Sequence, residues 1–273
     1  MSLLELRDVC KTFHALGREP VKALRDINLT VEAGTITGLV GESGSGKTTI
    51  IKSIMGLEKP TSGTITYDGI NIPEAKGETL KRIRREVQFV FQDPTSSLNP
   101  RMTVEQLVGE GLLVHKLAPD RTRRRERVAE LLTMVGLSER DLERYPRSFS
   151  GGQRQRIAIA RALAVGPKLL VCDEPVSALD VSVQAQVLNL LQDMQEELGF
   201  TVLFIAHDLA VVRQICSQVA VIQTGQIVEE GPSEQVLASP VHPYTKALLA
   251  AVPNPNPAIA RQRALERLQE EVA

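Results

Sequence analysis

The run Gly41-Glu42-Ser43-Gly44-Ser45-Gly46-Lys47-Thr48 constrains this chain more than any other feature. It matches the pattern G-x-x-x-x-G-K-[ST] and stands between an apolar stretch, Thr35 to Val40, and a helical stretch from Lys47 toward Met55. A strand that ends in such a loop and continues as a helix turns several backbone N–H groups toward one point at a helix N-terminus, where an anion is stabilised. Lys47 is spaced to reach the β- and γ-phosphates of a nucleoside triphosphate, and Thr48 to ligate Mg²⁺. Alone, the loop specifies only a bound triphosphate.

Two further elements add chemistry. Leu169-Leu170-Val171-Cys172 reads as a buried strand with Asp173 and Glu174 emerging at its end. Asp173 is expected to hold Mg²⁺ through water, and Glu174 to polarise a water for attack on phosphorus. Ser150-Gly151-Gly152-Gln153 opens a long helix through Leu163. Its bland reading is an N-cap serine on a flexible loop. Its other reading is a second anion site at a helix N-terminus, which one triphosphate seldom needs.

The rest of the chain organises around these motifs. Ile27, Leu29 and Val31 alternate with polar residues, and Ile65 and Tyr67 do the same before the turn dipeptide Asp68-Gly69, so an antiparallel sheet is expected early. From Leu98 to about Leu163 the chain is rich in Leu, Arg and Glu and reads as helical, with Arg121, Arg123, Arg124, Arg125 and Arg127 on a solvated face. After Asp173, helix and strand alternate. Val183 to Leu198 follows helical spacing, Phe200 to Ala206 is a buried strand, a helix follows Asp208, and Val219 to Ile222 is a further strand. Such alternation implies parallel strands with crossover helices, an α/β class.

Composition excludes several functions. In 273 residues, 32 basic residues balance 33 acidic ones, so no global charge draws the chain to nucleic acid or an anionic membrane. Aromatics make up only 3%, with no Trp, too few for a stacking wall. No apolar run reaches bilayer length, and the start, Met1 to Phe13, has no secretory pattern. Cys10, Cys172 and Cys216 are isolated and suit no disulfide framework, which points to the cytoplasm.

Taken together, the motifs closely resemble those of an ATP-binding cassette (ABC) ATPase, over about residues 3 to 252. Ser150-Gly151-Gly152-Gln153 matches the family's Leu-Ser-Gly-Gly-Gln signature, with Phe149 in place of the usual Leu. The resemblance implies a RecA-like phosphate-loop core with an antiparallel β subdomain and an α-helical subdomain inserted at about 94–162. Residues 1–252 would form the ATPase domain and 253–273 a short extension. It implies ATP and Mg²⁺ as ligands. Gly41, Ser43, Gly44, Ser45, Gly46, Lys47, Thr48 and Thr49 would cradle the phosphates, and Phe13 would stack on adenine. Thr48, Gln92 and Asp173 would serve the metal, while Glu174, His207 and Gln92 would be catalytic. Ser150, Gly151, Gly152 and Gln153 would close on the γ-phosphate bound by a second subunit, with Asp180 at the interface. That arrangement gives both helix-end anion sites to one ATP.

Two longer segments narrow the class. Val90 to Pro94 followed by Ser96-Ser97-Leu98-Asn99-Pro100-Arg101, and Ser239 to Lys246 followed by Leu248, Leu249 and Pro253, resemble peptide and nickel importer ATPases. The implied partners are two membrane permeases, a second ATPase subunit, identical or different, and indirectly an external binding protein, with no nucleic acid. The implied place is the cytoplasmic face of the cell membrane, peripherally bound. Many peptide importer ATPases carry a cysteine-rich tail that holds an iron–sulfur cluster. With no cysteine after Cys216, none is expected here, which shifts weight toward shorter, nickel-type members. The main alternative is a soluble ABC subunit of an enzyme complex such as the phosphonate carbon–phosphorus lyase machinery. Two-cassette DNA-repair or translation proteins and small-molecule phosphate-loop kinases fit less well.

Overall fold

A computed structural model describes residues 1–14, 17 and 19–251. The chain opens with β1 (Ser2–Phe13), β2 (Val21–Glu32), β3 (Ile36–Val40), α1 (Lys47–Ile54), β4 (Ser62–Tyr67), β5 (Ile70–Asn71), α2 (Gly77–Glu86) and β6 (Val87–Val90). A helical run follows: α3 (Pro94–Ser97), α4 (Val104–Val114), α5 (Arg121–Met134) and α6 (Gly151–Leu163). The last third is β7 (Leu169–Asp173), α7 (Val181–Leu198), β8 (Thr201–Ala206), α8 (Leu209–Ile215), β9 (Gln218–Gln223), β10 (Gln226–Pro232), α9 (Ser233–Ala238) and α10 (Pro243–Ala251).

Two sheets result. One has the order β2-β1-β4-β5 and is antiparallel throughout. The other has the order β10-β9-β3-β8-β7-β6 and is parallel except for its edge pair β10 and β9. Strands in a parallel sheet carry crossovers on both faces, so they read as continuous apolar runs. That is the pattern of β3, β7 and β8, which are buried almost without interruption.

The two-residue period of a strand then divides the core. Leu39, Val171, Leu203, Ile205 and Ile222 face one cluster, shared with the antiparallel sheet and with Ile50 and Ile54 of α1. Val40, Leu170, Cys172, Phe204 and Val221 face the other, shared with α4 to α8. The helical run and the central sheet therefore share one continuous apolar cluster.

Local chemistry sets the helix ends. Thr103 and Gln106 form a capping box on α4, and Asp120, Asp180 and Asp208 cap α5, α7 and α8. A cap of this kind contributes about 1 kcal/mol. The basic face of α5 is solvated, as its spacing predicts. Arg125 pairs with Glu105 and with Glu143, and Arg127 pairs with Glu130. The tail from Pro253 reads from its sequence as Pro/Asn-rich and then helical, with Leu265, Leu268 and Val272 on one side, and lies outside the described residues.

Candidate functional site

β3 delivers the glycine-rich loop to the edge of a cavity of about 730 Å³. That volume lies within the usual range for small-molecule sites. Its walls come from all over the chain. They include Lys22 and Arg25 of β2, Glu42 to Gly44, Gly46 to Thr49, Gln92 after β6, Asp173 and Glu174 at the end of β7, His207 after β8, and Thr224. Parallel strands all point the same way, so the loops beyond β3, β6, β7 and β8 converge on one crevice.

The loop itself is tightly fixed. Gly41 packs directly against β9, where a Cβ would meet the Ile222 carbonyl oxygen at 2.2 Å. Gly46, at φ 114°, adopts a backbone that side-chain-bearing residues rarely reach. The Ser45 carbonyl accepts from the Gly225 N–H at 2.8 Å, tying the loop to the turn after β9. Ser45 is buried behind the loop, and Gly41 is also behind it, so the backbones of these two residues shape the cradle while their neighbours line it.

Lys47 is almost wholly buried, and its ammonium donates to the carbonyls of Gly41 at 2.5 Å and Glu42 at 2.8 Å. Burial pushes its pKa down, against the pull of Glu174, Asp173 and Glu42. Burial, then Glu174, pushes the Asp173 carboxyl up, against Lys47. Both shifts disfavour the charged forms. The free protein thus holds desolvated charges that a polyanion with its cation would complement.

Beyond the loop, three expected catalytic side chains meet. The Glu174 carboxylate accepts from Gln92 Nε2 at 3.3 Å and from His207 Nδ1 at 3.0 Å through the same oxygen, Oε2. Gln92 Nε2 also reaches Ser177 Oγ at 3.3 Å. The Glu174 backbone sits at φ 45°, a conformation that costs a non-glycine residue about 1–2 kcal/mol. It is held there by its N–H donating to the Ile205 carbonyl at 3.0 Å and its own carbonyl accepting from Ser177 Oγ at 3.1 Å. Strain retained under such support is characteristic of functional positions.

Thr48, Gln92 and Asp173 offer a hydroxyl, an amide oxygen and a carboxylate to the same cavity. These hard donors fit Mg²⁺, which keeps several waters and takes the rest of its shell from substrate phosphates. Among the described residues no three His, Cys, Asp or Glu are grouped to hold a metal ion.

Other expected residues stand apart. Ser150 caps α6 in a full capping box with Gln153, and neither they nor Gly151, Gly152 and Asp180 line the cavity. Asp180 caps α7, accepting from the Val183 N–H at 3.0 Å. Phe149 fills the apolar core under α6, with Arg144 stacked on its ring at 4.3 Å, so the Leu-to-Phe departure serves packing. Phe13 is exposed, covered on one face by Lys11, and does not reach the cavity wall. Its ladder partner Val21 does.

Sequence reasoning assigned no role to Ser177, Lys22, Arg25 or Thr224. Ser177 begins the run Ser177-Ala178-Leu179-Asp180, which ends in the aspartate expected at the interface. The other three carry no short-range signal.

The family described as ABC transporter matches residues 24–177. The chain belongs to the ABC transporter family. Within it, the chain is an ATPase subunit, with mixed α/β architecture shared by solved cassettes. It is similar to a dimeric post-hydrolysis cassette, MJ0796, bound to ADP and phosphate (TM-score 0.75, 35% identity, 84% of this chain and 98% of that one). It is also similar to cbiO1 of Clostridium perfringens, part of the cbiONQ transporter complex (TM-score 0.78, 29% identity, 96% and 98% covered). The family described as the oligopeptide/dipeptide transporter C-terminal region matches residues 228–273. Among curated relatives, the oligopeptide transport ATP-binding protein OppF of Streptococcus mutans is 50% identical over 96% of this chain and 85% of its own length. The dipeptide transport ATP-binding protein DppF of Lactococcus lactis is 49% identical over 96% and 84%. These findings favour the importer reading over the soluble-complex alternative, and peptide over nickel as cargo.

Proposed function

We infer that this ABC ATPase powers uptake of oligopeptides or dipeptides through partner permeases at the cytoplasmic face of the cell membrane. The C-terminal match and the identity of about half to peptide-transport subunits support the cargo class. No described helix is long and apolar enough to cross a membrane, so translocation belongs to other subunits.

The observation that carries the ATPase mechanism is the meeting of Gln92, Glu174 and His207 beside the phosphate loop. Phosphoryl transfer to water needs little covalent help; it needs positioning and charge stabilisation. The loop N–H groups and Lys47 hold the β- and γ-phosphates. Glu174 accepts a proton from the attacking water as the oxygen–phosphorus bond forms and the β–γ bridge breaks. Gln92 and His207 fix the carboxylate that does so. Thr48, Gln92 and Asp173 would hold Mg²⁺, which would supply charge neutralisation at the phosphates. Ser150 to Gln153 stand outside this cavity; as the family resemblance implies, they act on the γ-phosphate held by a second cassette, with Asp180 at that junction. The helices of 94–162 serve as the inserted arm that meets a permease, with Gln92 at its root.

The test is Glu174→Gln. ATP binding is expected to persist while turnover falls at least ~100-fold and a nucleotide-bound dimer accumulates. Undiminished hydrolysis removes Glu174 from this role. The cargo is tested by disrupting the gene and following labelled dipeptide, tetrapeptide and nickel uptake in parallel. Loss of nickel uptake alone overturns the peptide reading.

A further inference from the structure

The geometry points to Tyr244, in the C-terminal transporter region, as a positioning residue for Lys47 of the phosphate loop. This rests on the reading of that loop as the ATP site.

The contact spans 202 residues of sequence: the Glu42 N–H donates to Tyr244 Oη at 3.0 Å. A peptide group is planar and trans, so the Glu42 N–H and the Gly41 carbonyl belong to one rigid unit and point in opposite directions. The Gly41 carbonyl accepts from Lys47 Nζ at 2.5 Å. Tyr244 therefore grips one end of the plane whose other end holds the ammonium. Rotation of this peptide breaks both bonds, and Glu42 itself lines the nucleotide cavity.

The segment around Tyr244 is built to hold it still. Glu229 of β10 accepts from the Val241 N–H at 2.7 Å and the His242 N–H at 3.1 Å. His242 Nδ1 accepts from the Tyr244 N–H at 3.2 Å at the start of α10. Pro243 opens that helix, where a missing N–H does no harm. The Tyr244 ring packs on the main core cluster. Each residue of His242-Pro243-Tyr244 thus has a role in presenting one hydroxyl to the loop. Glu229, His242 and Tyr244 all fall within the matched span 228–273. A region particular to this transporter class therefore reaches the site common to the whole family.

The consequence is a preorganised loop. Without the hydroxyl, the Gly41–Glu42 peptide samples other orientations, and only the competent fraction binds. Loss of one neutral hydrogen bond lowers that fraction enough to raise the Kd for ATP about 3- to 10-fold. Reciprocally, ATP must tighten the docking of α10 by the same factor.

The test uses the full chain and ATP. Tyr244→Phe keeps the ring in the core and removes only Oη. The expected result is a Kd and KM for ATP raised about 3- to 10-fold, kcat at saturation within about 2-fold, and little change in the melting temperature without nucleotide. A Kd equal to the wild type overturns the inference. As a second measurement on the unaltered protein, ATP is expected to slow hydrogen exchange of the Val241, His242 and Tyr244 amides. No slowing also overturns it, whatever the variant does. A wild-type chain that binds no ATP refutes the nucleotide site itself, and this inference with it.

Discussion

Replacing Gly41 by Ala puts the placement of the phosphate loop to a quantitative test. The added Cβ would lie 2.2 Å from the Ile222 carbonyl oxygen and 2.9 Å from Ser45 Oγ. The first contact is about 1 Å short of an ordinary one, and its partner is backbone, so no rotamer change relieves it. Ile222 belongs to β9, which pairs in parallel with β3 through Val40 and Val221, next to both clashing residues. The strands must part, or the loop must lift from the sheet. Overpacking costs about 1–3 kcal/mol, and a backbone clash belongs at the upper end. At roughly 2–4 °C per kcal/mol for a chain near this size, the nucleotide-free melting temperature should fall by about 6–12 °C. ATP affinity should fall as well, because Lys47 is held by the Gly41 carbonyl that has to move. Thermal denaturation followed by circular dichroism, with ATP titration of the same samples, provides the assay. A G41A protein melting within about 2 °C of the wild type and binding ATP as tightly would refute the wedge of loop against strand.

Two further outcomes follow from the charges and caps. Asp173→Asn is expected to raise the melting temperature of the nucleotide-free protein while abolishing Mg²⁺-dependent hydrolysis. Burial and Glu174 hold the Asp173 pKa above its unfolded value, so its ionised form destabilises the fold at pH 7. That penalty is fully present above the folded pKa and fades as pH falls toward the unfolded one. The wild-type-minus-variant difference should therefore shrink on acidification, and a lower melting temperature for D173N would contradict the sign. Ser150→Ala removes the acceptor for the Gln153 N–H, at 3.3 Å, and should cost about 1 kcal/mol. It should lower hydrolysis while leaving the ATP affinity of the isolated chain intact. In mixed dimers the defect should fall at the site carrying the partner's phosphate loop; a defect at its own loop would refute the trans arrangement.

What the amino-acid order alone determined is local. The strand, glycine loop and helix from Thr35 to Met55 form one continuous stretch, and their backbone geometry follows from residue types within a few positions. The Ser150 and Gln153 capping box, the Asp180 and Asp208 caps and the alternation in β2 and β4 are legible for the same reason. Tertiary structure decided the rest. An apolar run such as Leu169 to Cys172 is buried on both faces, so its period cannot say which neighbours it pairs with. The order β10-β9-β3-β8-β7-β6 emerges only when the crossovers pack. That order brings Gln92 to Glu174 across 82 residues, and Tyr244 to Glu42 across 202. Phe13 also stays outside the cavity while its cross-strand neighbour Val21 lines it, a difference set by the irregular register in which β1 pairs with β2 and which no local pattern records. Hydrogen bonds between distant segments depend on where rigid elements dock, and docking is set by the shape of the whole core.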